Sequence, residues 1–119
     1  MKITREQASQ IEKHGINLWV YPTSRQEVGV VYVEVEKGHF QEFYDKESTF
    51  IYYIIEGEGK FFINGEEVPV KASDIVVIPP LTKIYYLGKM KMTLTTTPAW
   101  KAENEVHVRY IEEHSEFTL

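Results

Sequence analysis

The side chains best suited to metal binding or proton transfer are four histidines, His14, His39, His107 and His114. The segment "HFQE" places His39 three residues before Glu42, in what we expect to be a loop. None of the four has a second histidine at a spacing typical of a metal site, and a single ligand does not hold a metal. We therefore interpret them as surface or strand histidines with ordinary hydrogen bonds.

Several other kinds of site are missing from the sequence. There is no cysteine, which fits a reducing cytoplasm and removes thiol chemistry and Cys-ligated zinc. There is no glycine-rich phosphate loop and no G-x-S-x-G elbow. The net charge is −5 without a basic patch, and no apolar run approaches a membrane span or a signal peptide. We predict a cytoplasmic protein that binds neither nucleic acid nor membrane.

The elements that must position any site are mostly strands. The 119 residues suit one domain, residues 1–119. Thr4 and Gln7 have the spacing of a capping box, and Gly15 suits a helix end, so residues 1–15 are predicted to be an N-terminal helical segment. After it, roughly eight to ten short strands follow, with "EGEG" joining two of them and a tight turn at Asn64-Gly65. This pattern predicts a closed barrel or a sandwich.

Glycine and proline spacing resembles that of small single-domain cupins of the RmlC-like superfamily. Gly38 and Gly57 match the glycines of the first cupin motif, G-x5-H-x-H-x3,4-E-x6-G. Pro79 matches the second motif, G-x5-P-x-G-x2-H-x3-N, and Ser73-Asp74 replace its opening glycine-aspartate step. The resemblance covers residues 27–98 and is followed by a C-terminal strand and tail at residues 99–119. It implies an all-β fold, the double-stranded β-helix or jelly-roll barrel.

The metal-ligand positions of these motifs are occupied by other residues. Counting from Gly38 puts Tyr44, Lys46 and Phe50 at the ligand positions of the first motif. Ile84 stands at the histidine of the second. Phenyl, alkyl and ammonium groups offer no lone pair to a metal, and Tyr44 could ligate only as a phenolate, a single oxygen that does not make a site. We therefore predict that the barrel holds no metal and needs no cofactor.

In the register that the resemblance implies, the barrel interior is an aromatic and apolar cup. Its candidate ligand-binding residues are Tyr44, Lys46, Phe50, Tyr52, Ile84 and Tyr86. An ammonium group and several phenol hydroxyls between apolar walls suit a small polar or anionic metabolite, such as a sugar or an organic acid. We therefore predict a metal-free, small-molecule binding protein rather than an enzyme.

Two alternatives remain open at this point. The first is a cofactor-independent sugar or sugar-nucleotide isomerase or epimerase, in which Lys46 or a tyrosine transfers the proton. The second is a structural or partner-binding dimer whose barrel is filled by side chains, as small barrels often are. The resemblance also implies a homodimer. Strands that are apolar on both faces, such as "VGVVYVEVE", give a physical reason for it, because a wet sheet face is normally polar.

Overall fold

The computed structural model describes residues 1–113. Within them the chain forms nine strands and two short 3-10 turns, at Arg5–Gln7 and Ala102–Asn104. The strands are β1 (Ser9–Lys13), β2 (Ile16–Tyr21), β3 (Gly29–Val35), β4 (Gly38–Asp45), β5 (Thr49–Ile63), β6 (Glu66–Lys71), β7 (Ile75–Ile78), β8 (Ile84–Thr97) and β9 (Glu105–Tyr110). Among the described residues there is no helix with the length and hydropathy that a membrane crossing requires.

The strands form two antiparallel sheets that share their two longest strands. The front sheet has the order β1-β2-β3-β8-β5-β7. The back sheet has the order β9-β4-β8-β5-β6. Strands β5 and β8 pair with each other along almost their whole length, so both bend from one sheet into the other. This arrangement is the all-β jelly-roll barrel that the sequence predicted.

The bend in β5 lies at "EGEG", which was predicted to join two separate strands. That prediction is wrong, because β5 continues through the segment and shifts register between Ile54 and Glu56. Gly57 has φ +92° there, and a Cβ at this position would collide with the carbonyl oxygen of Lys89 on β8. A left-handed glycine under close backbone contact therefore bends the strand instead of reversing it.

The N-terminal segment is not the helix that its sequence suggested. Helical geometry is limited to the 3-10 turn, where the Thr4 N–H donates to Gln7 Oε1 at 2.8 Å. From Ser9 onward the chain pairs with β2 as a hairpin, and Gly15 (φ +94°) belongs to its tight turn. A Cβ on Gly15 would collide with the ring of Phe40. Pairing with β2 satisfies the backbone of β1, and this tertiary contact overrides a weak helical preference.

The main core lies between the two sheets. Its most deeply buried side chains include Val33, Ile54, Phe61 and Met92, each 0% exposed. They come from three strands, β3, β5 and β8, on the inward face of the barrel. One end of this interior is not filled by side chains, and the candidate site is found there.

Candidate functional site

A cavity of about 280 Å³ occupies part of the barrel interior. Its lining comes from seven strands, β1, β2, β3, β4, β5, β8 and β9, and from the segment around Trp100. Leu18, Phe43, Phe50 and Leu94 are among its apolar walls. Its polar lining includes the side chains of Lys13, His39, Tyr52, Tyr86 and Glu105. The barrel is thus open enough to admit a small molecule and is not packed solid.

His39 is the buried base of this cavity. Only 2% of the residue is exposed, and its Nδ1 lies 2.7 Å from the carbonyl oxygen of Gln41. Because a carbonyl oxygen only accepts, Nδ1 must carry the proton and Nε2 keeps its lone pair. Burial lowers the pKa of His39 to about 3, although the bond to Gln41 opposes this shift. The imidazole is therefore neutral near pH 7, as a general base requires.

Strand β4 gives His39 its inward direction. The sequence pointed to a loop at this position, but β4 begins at Gly38 and includes His39. His39 lies opposite Tyr86 on β8, and side chains of opposed residues project from the same face of a sheet. Their ring centroids are 5.2 Å apart. The sequence analysis missed that His39 is buried and faces inward.

Two tyrosines supply hydroxyl groups beside His39. Tyr52 is 1% exposed and Tyr86 is 2% exposed, and their rings meet edge to face with centroids 5.7 Å apart. Burial raises the pKa of both tyrosines well above the usual range. Both phenols therefore keep their protons at neutral pH and can donate hydrogen bonds to a ligand oxygen.

A charged pair borders the same cavity. Lys13 Nζ lies 3.5 Å from Glu105 Oε2, and both side chains are mostly buried. The indole Nε1 of Trp100 donates to Glu105 Oε1 at 3.2 Å, and Lys13 Nζ lies 5.3 Å from the Trp100 ring centroid. Sequence analysis missed all three residues. Lys13 is 92 residues from Glu105, and the hairpin of β1 and strand β9 bring the two together only in the folded barrel.

The residues predicted to line the pocket divide into two groups. Phe50, Tyr52 and Tyr86 do line the cavity. Ile84 is buried in the core but lies outside it, next to a void of about 10 Å³ that Tyr44 also borders. Lys46 is exposed, and its backbone N–H donates to the carbonyl oxygen of Asn104 at 2.9 Å.

The predicted inward direction is therefore wrong for Tyr44 on β4 and for Lys46, which follows the end of that strand. The buried residues near its end are Phe43 and Asp45, whose positions are odd, whereas motif counting selected even positions. His39, at the start of the strand, is also buried at an odd position, so the inward face keeps one parity along β4. The motif count was displaced from that face by one residue, which is enough to point a side chain to the opposite side of a strand.

The remaining histidines have ordinary contacts. The His14 ring is next to that of His39, with centroids 5.6 Å apart. His107 Nδ1 accepts a hydrogen bond from Gln41 Nε2 at 3.0 Å. Glu42, its proposed companion in "HFQE", binds Arg109 Nε at 2.9 Å. His114 lies outside the described residues.

The fold is that of a known family. The EutQ-like cupin domain matches residues 23–110. The chain belongs to this cupin family. No curated protein matches the chain.

Solved structures of other cupins are similar over nearly the whole chain. Streptomyces PAC13 with uridine, carrying a histidine-to-glutamine replacement, is 44% identical, with 96% of this chain and 95% of that chain covered and a TM-score of 0.94. A structure of Pac13, described as a unique nucleoside dehydratase, is 45% identical, with 95% and 94% covered and a TM-score of 0.93. Two further Streptomyces PAC13 structures with uridine carry tyrosine-to-phenylalanine replacements. Ectoine synthase from P. lautus, at 16% identity, 100% and 98% coverage and a TM-score of 0.73, shares the fold.

The cavity of this cupin does not offer the ligands of a resident metal. His39 and Glu105 are its lining residues with imidazole or carboxylate groups, and Glu105 is engaged by Lys13 and Trp100. Protein metal sites use three or four such ligands. Within residues 1–113, no three His, Cys, Asp or Glu side chains are grouped to hold a metal. These side chains therefore do not fit a metal site. That the purified protein contains no metal stays a prediction, which elemental analysis can test.

Proposed function

We propose that this cupin is a nucleoside dehydratase, an enzyme that removes water from the sugar of a nucleoside. The observation that carries the proposal is the trio of His39, Tyr52 and Tyr86 at the cavity. The three positions replaced in the PAC13 structures with uridine are separated by 13 and 34 residues, which are the separations of this trio. The residue types also agree, one histidine followed by two tyrosines.

The cavity suits one nucleoside. Its volume of about 280 Å³ lies just below the roughly 300–1,000 Å³ typical of ligand pockets. Apolar walls such as Phe43 and Phe50 offer faces for a flat base, while the two phenols and the Lys13–Glu105 pair offer partners for sugar hydroxyls. The proposal thus narrows the predicted sugar ligand to a nucleoside. An anionic ligand loses its support, because Lys46, the cation predicted to bind it, lies outside the cavity.

His39 is the residue positioned to start the elimination. Its Nε2 lone pair takes a proton from a sugar carbon, a C=C bond forms, and the neighbouring C–O bond breaks. The imidazolium returns that proton to the departing hydroxyl, so water leaves and the neutral imidazole is restored. The carbonyl oxygen of Gln41 holds Nδ1–H throughout and keeps Nε2 as the reacting atom.

The lowered pKa of His39 restricts the substrate. An imidazole whose pKa is about 3 is a weak base and does not remove a proton from an ordinary sugar carbon. The carbon must therefore be acidified, for example by a neighbouring carbonyl group on the sugar. Tyr52 and Tyr86 donate hydrogen bonds to the oxygen on which charge develops, because their phenols stay protonated.

Two measurements test the proposal. Calorimetry should show uridine binding to the full chain. Mass spectrometry should detect loss of one water from a uridine derivative that carries a carbonyl on its ribose. His39→Gln should bind uridine and fail to turn the derivative over, while His107→Gln, on the exposed side of β9, should behave as the parent. Conversion to an isomer of unchanged mass would overturn the dehydratase in favour of an isomerase, and absence of nucleoside binding would overturn both.

A further inference from the structure

The cavity has a polar part and an apolar part. The proposed elimination takes place in the polar part, which includes Tyr52. From Tyr52 a row of directly opposed residues crosses the front sheet, through Leu94 on β8 and Val31 on β3 to Val20 on β2. All of them line the cavity, and opposed side chains project from the same face of a sheet. We call Leu94, Val31 and Val20 the apolar row.

A second row lies beside the apolar row on the same face and carries one hydroxyl group. It runs from Phe50 on β5 through Thr96 on β8 to Gly29 on β3, and all three line the cavity. Thr96 Oγ1 accepts the backbone N–H of Trp100 at 3.2 Å, so its own O–H remains as a donor. Gly29 leaves room for this hydroxyl, because a Cβ there would lie 2.6 Å from Thr96 Oγ1. This part of the cavity therefore offers a ligand one hydrogen-bond donor among hydrocarbon groups.

The segment that follows β2 bounds the cavity at the far end of the apolar row. Tyr21, Pro22 and Thr23 line the cavity there. The Thr23 hydroxyl donates to the carbonyl oxygen of Val28 at 2.9 Å, and the Tyr21 hydroxyl accepts from Arg5 Nε at 3.2 Å. Both hydroxyls thus have partners within the protein. The space along the apolar row is limited in length, and its end adds apolar contacts to those of the row.

We propose that this cupin selects pyrimidine nucleosides by the shape of the apolar row and does not distinguish uracil from cytosine. The inference rests on the proposed dehydratase, because that function places the sugar beside Tyr52 and the base along the apolar row. Uracil and cytosine have the same ring size and the same O2 carbonyl, to which the Thr96 hydroxyl donates. They differ at N3 and at position 4 of the ring, where donors and acceptors are exchanged. Recognising that difference requires buried polar partners, whereas the apolar row presents methyl groups.

Polar contacts and shape discriminate between ligands to different extents. A site that hydrogen-bonds a polar group of its substrate rejects an analogue without that group by about 10⁴-fold or more, whereas a hydrocarbon wall rejects an isostere only weakly. The affinities for uridine and cytidine should therefore agree within about fivefold. Adenosine carries the same ribose and a larger base with two rings. The cavity volume of about 280 Å³ leaves little room for the second ring, so adenosine should bind at least about tenfold more weakly than uridine.

Calorimetry on the full chain with uridine, cytidine and adenosine tests the inference, because the three ligands share one ribose. Val31→Ala shortens a side chain of the apolar row and should narrow the difference in affinity between uridine and adenosine by at least about fivefold. Val33→Ala is the matched control, because Val33 lies on the same strand, is 0% exposed and packs in the core outside the cavity lining. It should keep the difference of the parent, and thermal unfolding should show that both variants are folded.

Thr96→Val removes the hydroxyl donor and should weaken uridine and cytidine binding equally, by about 2- to 12-fold each, because both bases carry O2. A cytidine affinity more than tenfold below that of uridine overturns the inference, since polar groups would then recognise the base. Adenosine that binds the parent as tightly as uridine also overturns it, because the apolar row would then not limit the base. Either result leaves the proposed dehydratase in place, whereas absence of binding by all three nucleosides overturns both.

Discussion

His39 and Tyr86 lie directly opposite each other on β4 and β8, and their ring centroids are 5.2 Å apart. Both side chains are therefore held by paired backbone rather than by a loop. A base and a hydroxyl fixed in this way need little reorganisation when a ligand enters the cavity. The neighbouring Tyr52 is held by the long strand β5, so the three groups keep a constant geometry.

The first prediction concerns catalysis by His39. His39→Gln keeps a polar side chain of similar length but removes the basic nitrogen. Turnover of an activated uridine derivative should fall by about 10²-fold or more, the usual contribution of a general base. Uridine affinity, measured by calorimetry, should change only a few-fold. Equal losses in affinity and turnover would instead indicate that His39 serves binding alone.

The second prediction concerns stability against pH. The folded pKa of His39 is lowered to about 3, below the ordinary value of 6.5, so the unfolded chain binds a proton that the folded chain does not. Stability should therefore fall as pH drops from about 6.5 toward 3, with a slope of up to about 1.4 kcal/mol per pH unit from this group. Denaturant unfolding at several pH values should show a flatter profile for His39→Gln.

Tyr52→Phe is the control for that experiment. It alters the same cavity but removes no group that titrates between pH 3 and 7. Its profile should therefore keep the slope of the parent. If His39→Gln keeps that slope as well, the histidine is not the group responsible, and the lowered pKa would be wrong.

The third prediction compares two lysines. Lys13 borders the cavity and pairs with Glu105, whereas Lys46 is exposed outside it. Lys13→Met leaves the buried carboxylate without its cation and should weaken uridine binding by about tenfold, in line with the ~1.5–3 kcal/mol of a charged hydrogen bond. Lys46→Met should leave binding unchanged. If a thermal-shift assay showed that Lys46→Met weakens uridine binding more than Lys13→Met does, Lys46 would again be a candidate binding residue.

The fourth prediction concerns the two phenol hydroxyls. Tyr52→Phe and Tyr86→Phe each remove one buried donor while keeping the ring in the core. Each should lower uridine affinity by roughly 2- to 12-fold, the effect of losing a neutral hydrogen bond of ~0.5–1.5 kcal/mol. Tyr44→Phe, outside the cavity, provides the control and should bind as the parent does. If calorimetry showed that Tyr44→Phe loses as much uridine affinity as the other two variants, the assigned cavity would be wrong.

The fifth prediction concerns metal. Protein purified without chelators should contain no stoichiometric transition metal, because the cavity offers one imidazole and one carboxylate that is already engaged. Elemental analysis measures this directly. A content near one metal per chain would show that ligands from elsewhere, including residues beyond 113, complete a site.

The sequence predicted the architecture well because turns and strands leave local signals. The Asn64-Gly65 turn, the strand before Pro79 and the strand periodicity all appear in the structure. It failed at the N-terminus, where pairing of β1 with β2 overrides a capping box. It also split β5 at "EGEG", where a glycine bends the strand without ending it.

The site was harder to predict because its parts meet only after folding. Tyr52 and Tyr86 were found because the register that the resemblance implies for β5 and β8 agrees with the inward faces of those strands. His39 was missed because it was assigned to a loop, and because motif counting selected even positions whereas the inward residues His39, Phe43 and Asp45 are odd. Lys13 and Glu105 are 92 residues apart, and no local pattern connects them.

Strands β5 and β8, which belong to both sheets, also determine how the chain folds. Neither sheet can form without them, so the two sheets should fold and unfold together as one cooperative unit. Backbone amides at the two ends of β5, one in each sheet, should then exchange with deuterium through the same global opening. The pairing of β5 with β8 is long-range, and closing that loop is slow, so refolding should take milliseconds to seconds rather than microseconds.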